Sequence, residues 1–188
     1  MMKLIFFFLL FVANNIAWSD APYPGLQVEV KREHDLYYLA ASFDTTLTKC
    51  AAYRYLTDYE ATQNFPGVIA SIVDRQSALK ILVNSTIDEH ILLFDVRLHL
   101  IMEYTEKPFD RIEFTQLKGD LKTFRGSWDI VPNKQGSTLR FKGFLEPDTL
   151  IPLFIIDHFI KNSLVDKLNA IALMAEKRKD MPLNSCVD

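Results

Sequence analysis

The side chains best suited to chemistry are few and scattered. The four histidines, His34, His90, His99 and His158, show no HExxH or other metal-ligand spacing. His99 shares an alternating stretch with Asp95, Arg97 and Glu103, which reads as the solvated face of a strand. There is no GxSxG elbow, no phosphate-binding glycine loop and no GxGxxG. The sequence therefore assigns no catalytic residue, no metal and no cofactor. Acid–base chemistry needs only His, Tyr or carboxylates around a pocket. Asp157, Lys167, Tyr104 and Trp128 are the side chains placed to orient a ligand's polar group. Each also has a plain structural role: a Lys stem can lie on the core with its amine in water, and a Tyr or Trp can bond to backbone. Asn84-Ser85-Thr86 fits an N-glycosylation acceptor.

The first residues read as an address. Lys3 precedes an unbroken apolar run over 4–13, and a more polar stretch ends in Ala17-Trp18-Ser19. The run is about half the ~20 residues that cross a bilayer. A signal peptide over 1–19, cleaved after Ser19, is expected, and the protein is expected to be secreted or periplasmic. Removing that segment takes away one Lys and no acid, leaving 20 basic and 24 acidic residues, a net charge of −4. An acidic domain of this kind is unsuited to neutralising nucleic-acid phosphates. Export would permit a disulfide between Cys50 and Cys186, closing a loop for which chain entropy gives about 4–5 kcal/mol. A packed thiol at Cys50 is the simpler alternative, because Cys186 sits in a polar tail over 180–188 where order is not expected.

Strands must position most of the remaining residues. Segments 26–32 and 36–43 flank Glu33-His34-Asp35 and read as a hairpin. Phe94, Val96, Leu98, Leu100, Met102 and Tyr104 alternate with polar residues, and only Ile101 breaks the pattern. Further alternation carries Phe114, then Phe124, Gly126 and Trp128, then Phe141 and Gly143, between short polar turns. Segments 68–73 and 79–87 supply two more strands. A short helix over 48–57 follows the capping-type residues Asp44, Thr45 and Thr46, and leads to a stop at Pro66-Gly67. A long helix starts near Pro152 and runs to about Arg178. On it Ile156, Ile160, Leu164, Leu168, Ile171 and Ala175 form one apolar stripe. A half-apolar sheet and a striped helix must cover each other. The expected fold is α+β: a curved antiparallel sheet wrapped around the C-terminal helix, with two short helices between the first strands.

Several strings add to this reading: Leu56-Thr57-Asp58-Tyr59-Glu60, Phe65-Pro66-Gly67-Val68, Gly126-Ser127-Trp128, Gly136-Ser137-Thr138, and Pro147 and Pro152 ahead of the long helix. In order and spacing the chain resembles the START-like SRPBCC superfamily, particularly its coenzyme Q-binding and polyketide cyclase/dehydrase branches with the helix-grip fold. The resemblance implies one ligand-binding domain over 20–179, with an apolar cavity between sheet and helix. It transfers no catalytic motif residue by residue.

The expected function is an exported binder or carrier of a hydrophobic small molecule, such as a lipid, isoprenoid or quinone-like compound. The cavity would be lined by Phe94, Val96, Leu98, Leu100, Met102, Tyr104, Phe114, Phe124, Gly126, Trp128, Phe141, Gly143, Ile156, Ile160 and Leu164. Gly126 and Gly143, missing side chains in the apolar register, either open the interior or let the sheet bend. Leu150, Ile151, Leu153 and Phe154 form an apolar junction that could gate the cavity and touch a membrane transiently. No nucleic-acid partner is expected, and a monomer suffices. The alternatives are a cyclase- or dehydratase-like enzyme working by proton transfer, and a protein-interaction domain whose cavity is filled.

Overall fold

The computed structural model describes residues 23–65, 67–91, 94–147 and 153–178. Eight strands follow one another as β1 (Gln27–Glu33), β2 (Leu36–Thr45), β3 (Val68–Arg75), β4 (Lys80–Ile91), β5 (Phe94–Lys107), β6 (Arg111–Gly119), β7 (Leu121–Pro132) and β8 (Ser137–Pro147). Helix α1 (Lys49–Leu56) and a 3-10 helix (Tyr59–Asn64) lie between β2 and β3, and α2 (Leu153–Lys177) closes the described chain. All strands join one antiparallel sheet in the order β1-β2-β8-β7-β6-β5-β4-β3. Successive strands from β3 to β8 are sheet neighbours, each antiparallel to the last; the two short helices carry the chain from β2 to the far edge.

The alternation of β5 survives intact. Leu100 and Met102 are buried, and Ile101 lies in the opposite register, where a pairing irregularity falls between Ile101 and Met102. That irregularity and others at Val68/Ala70 and Leu121/Thr123 bend the sheet into a curve that faces α2. The stripe on α2 fills the curve. Ile156, Ile160 and Leu168 pack with Tyr37, Leu39, Met102, Phe114 and Phe141, while Ala172 and Ala175 pack with α1 and with Phe43, Ile130 and Leu139.

The cap of α1 differs from expectation. Thr48 is the N-cap, its hydroxyl accepting from Ala51 N at 3.3 Å. Asp44 instead accepts from Thr138 (2.6 Å) and Asn133 (3.0 Å), and Thr46 N donates to Glu176 on α2 at 3.1 Å. Strand β2 continues to Thr45; the Thr45 and Thr46 hydroxyls donate to Glu176 of α2 while Asp44 ties β2 to β8 and the turn before it, so none of the three caps α1.

Gly126 and Gly143 face each other across β7 and β8. They do not open the interior. A Cβ on Gly126 would lie 2.1 Å from Lys142 O and 2.6 Å from Phe114 Cζ, and one on Gly143 would lie 2.9 Å from Phe141 Cζ. The rings of Phe114 and Phe141 stack at 5.8 Å and 10° beside these glycines. The glycines permit close approach and bending; the space they leave is occupied.

The expected signal peptide over 1–19, Leu150, Ile151, Pro152, the expected tail over 180–188 and with it Cys186 lie outside the described residues, as does the Phe94 side chain. Cys50 is not a free thiol. No described helix is long and apolar enough to cross a membrane.

Candidate functional site

A half-open cavity of about 260 Å³ lies between the sheet, α1, the 3-10 helix and the middle of α2. Tyr55, Leu56, Asp58, Tyr59, Thr62 and Phe65 form its helical wall. The sheet contributes Val68, Ile87, Tyr104, Ile112 and Trp128, and α2 contributes Lys167 and Ile171. Most of this surface is apolar, as in small-molecule sites generally. The helical wall exists because Asp58 breaks the chain after α1. Its carboxylate accepts from Ala61 N at 3.2 Å and starts the 3-10 turn that lays Tyr59 over β5.

Of the side chains expected to line a pocket, Tyr104 and Trp128 stand in this wall. Leu100, Met102, Phe114, Phe141, Ile156 and Ile160 are buried in the solid core beside it, with Phe124 and Leu164 packed against them. Val96 and Leu98 share the inward register of β5 further along, half-buried. The cavity therefore sits nearer the short helices than the full length of β5 suggested. Leu153 and Phe154 at the start of α2 are exposed, Phe154 by 65%. None of the four histidines reaches the cavity. Asp157 accepts from Arg32 Nη1 at 2.6 Å and Tyr37 Oη at 2.8 Å, so it pins α2 to the first hairpin.

The cavity's charged groups are already paired. Lys167 Nζ lies 2.5 Å from Glu89 Oε1, an ion pair at contact distance although its angle misses a hydrogen bond. Asp58 pairs with Arg178, whose guanidinium also lies 5.7 Å from the centre of the Tyr55 ring. The Tyr55 hydroxyl donates to Ile171 O at 2.7 Å. The Tyr59 hydroxyl donates to Glu106 Oε1 at 3.1 Å, and Tyr53 donates to the other carboxylate oxygen. Burial, reinforced by the Glu106 charge, holds Tyr59 far above the usual phenol range. Burial alone pushes Tyr104 up to about 12. These phenols are donors at any physiological pH.

Two carboxylates in this neighbourhood, Glu106 and Glu89, escaped the sequence reading. Both are buried. Glu106 continues the inward series Leu100, Met102, Tyr104 of β5, and Glu89 continues Val83, Ser85, Ile87 of β4. An acid in an apolar register was the available signal. Among the described residues no group of His, Cys, Asp and Glu is arranged to hold a metal ion.

Residues 48–169 match a protein family described as polyketide cyclase/dehydrase and lipid transport, a span that includes all of the cavity wall except Ile171. Among solved structures, the chain is similar to a STAR-related lipid transfer protein from Xanthomonas axonopodis, with a TM-score of 0.69 and 16% identity over 82% of this chain and 96% of that one. It is similar to the Zhui aromatase/cyclase from Streptomyces sp. R1128 (TM-score 0.63, 14% identity, 76% and 95% covered). A START superfamily protein from Mycobacterium smegmatis also superposes (TM-score 0.56, 13% identity, 72% and 93% covered). At such identities the likeness is one of fold. No curated protein matches the sequence.

Proposed function

The chain belongs to the polyketide cyclase/dehydrase and lipid-transport family, and from that premise we propose that it is an exported, non-catalytic binder of a hydrophobic small molecule. The observation that carries this reading is the apolar cavity between α2, the short helices and the sheet. Its volume of about 260 Å³ lies just under the ~300–1,000 Å³ of sites for drug-sized ligands. A compact single molecule suits it and a two-chain lipid does not. The room present also weighs against an interior filled by its own side chains.

Leu153 and Phe154 are the described part of the proposed gate, exposed apolar groups at the start of α2. In this reading they touch a bilayer while cargo is exchanged, and a folded Phe154→Asp variant transfers ligand between liposomes more slowly. The enzymatic alternative has one observation in its favour, the buried Glu106 carboxylate hydrogen-bonded to Tyr59 of the cavity wall. Turnover of a bound substrate abolished by Glu106→Gln would support it.

Native mass spectrometry of the protein from its own host tests the proposal, together with uptake of the neutral naphthalene dye prodan. A bound small molecule, or a blue shift in dye emission that the natural ligand reverses, is expected. Protein that carries no adduct and leaves the dye spectrum unchanged would rule the binder out.

A further inference from the structure

The cavity's polar inventory says what kind of molecule it takes, given that it is a binding cavity at all. Both charged groups in the wall are committed. A carboxylate ligand would have to draw Lys167 away from Glu89, stranding an acid whose side chain is only 9% exposed. A cationic ligand would have to draw Asp58 from Arg178, which also packs against Tyr55. Separating a partly buried ion pair leaves a charge without its partner, which is unfavourable, more so for buried Glu89 than for the part-exposed Asp58. The Tyr55 and Tyr59 hydroxyls are also used, on Ile171 O and on Glu106.

Three polar side-chain groups of the wall donate to nothing among the described residues: the Tyr104 hydroxyl, the Trp128 indole N–H and the Thr62 hydroxyl. Tyr104 and Trp128 stand on the sheet floor, on β5 and β7, with β6 between them. An indole N–H can only donate, and burial keeps the phenol protonated. Both residues are half-buried and neither donor atom is sealed from water; a ligand that covers them must supply an acceptor oxygen or strand the donors, so one that carries an oxygen there gains over one that does not.

We infer that the cavity selects an uncharged, compact apolar molecule bearing a carbonyl or similar acceptor oxygen, which receives hydrogen bonds from Tyr104 and Trp128. The apolar body lies against Leu56, Phe65, Ile87 and Ile112. The inference rests on the binding reading above and sharpens it from "hydrophobic" to "neutral acceptor".

The test uses three probes on one skeleton: 2-acetylnaphthalene, 2-ethylnaphthalene and 2-naphthoate, titrated calorimetrically into protein produced from the full chain. The ketone should bind roughly 3–10-fold tighter than the hydrocarbon, the range of one net hydrogen bond, and naphthoate should bind weakest. Tyr104→Phe keeps the ring that packs 4.8 Å from Tyr59, and should narrow the ratio of ketone to hydrocarbon affinity, because the donor that rewards the one and is stranded by the other is gone. The comparison among probes on the unmodified protein needs no variant to fold. Naphthoate binding tightest would overturn the neutral-ligand inference, as would a ketone with no advantage over the hydrocarbon. If none of the three binds, the cavity is not a binding site, and the proposed function falls with this inference.

Discussion

At the scale of single residues, the polar side chains of α2 separate into anchors and wall. Asp157 and Lys167 both sit at the edge of the apolar stripe, yet one faces the first hairpin and the other the cavity. Burial pushes the Asp157 carboxyl up, but the Tyr37 hydrogen bond and the Arg32 charge outweigh it and hold it below the usual carboxylate range. A group depressed on folding contributes stability that is present above its unfolded pKa, near 3.9, and is lost as pH falls through the folded value. Asp157→Asn should therefore be less stable at pH 7, with the difference from wild type shrinking below about pH 4. Urea unfolding at a series of pH values measures this; a constant difference down to pH 2 would contradict it.

Between elements, α2 is held by its apolar stripe and a few polar ties, of which Lys167–Glu89 reaches β4 beside the cavity. Lys167→Met preserves the length of the side chain but strands Glu89, and should destabilise by about 1–3 kcal/mol, less than a fully buried pair because the lysine is partly exposed. Adding Glu89→Leu should recover most of that loss. A single variant as damaged as the double would show that the pair is not coupled. Within the sheet, the Gly126–Gly143 contact sets how closely β7 and β8 approach under the Phe114–Phe141 stack. Gly126→Ala places a methyl against Lys142 O and should cost about 1–3 kcal/mol by overpacking. A denaturation midpoint equal to wild type would mean that the strands separate without penalty.

For the whole molecule, ligand and compartment are the testable properties. A ligand that binds only the folded state raises its stability by about 2.7 kcal/mol at a hundredfold excess over Kd. The naphthyl ketone should therefore shift the unfolding midpoint of wild type more than that of Tyr104→Phe at equal concentration. Export predicts an N-terminus at Asp20 in secreted protein. With Cys50 not free, the intact mass of that protein should be lighter by two hydrogens than its reduced form. A mass that begins at Met1, or one unchanged by reduction, would count against the respective expectation.

The architecture was readable from the chain because it rests on local regularities. Two-residue alternation in β5 to β8 and three- and four-residue recurrence on α2 define apolar surfaces whatever the neighbours, and such surfaces must meet. Tyr104 and Trp128 were legible as inward-facing side chains for the same reason, their place in the apolar register. The cavity's position was not legible. It depends on where the 3-10 turn after Asp58 lays Tyr59 against β5 and where Tyr55 meets α2, a matter of packing among residues distant in sequence. The same holds for Gly126 and Gly143, whose missing side chains left both space and a bend in the sheet open until the folded chain laid Phe114 and Phe141 beside them. Period tells which way a side chain points, whereas packing alone tells what it meets there.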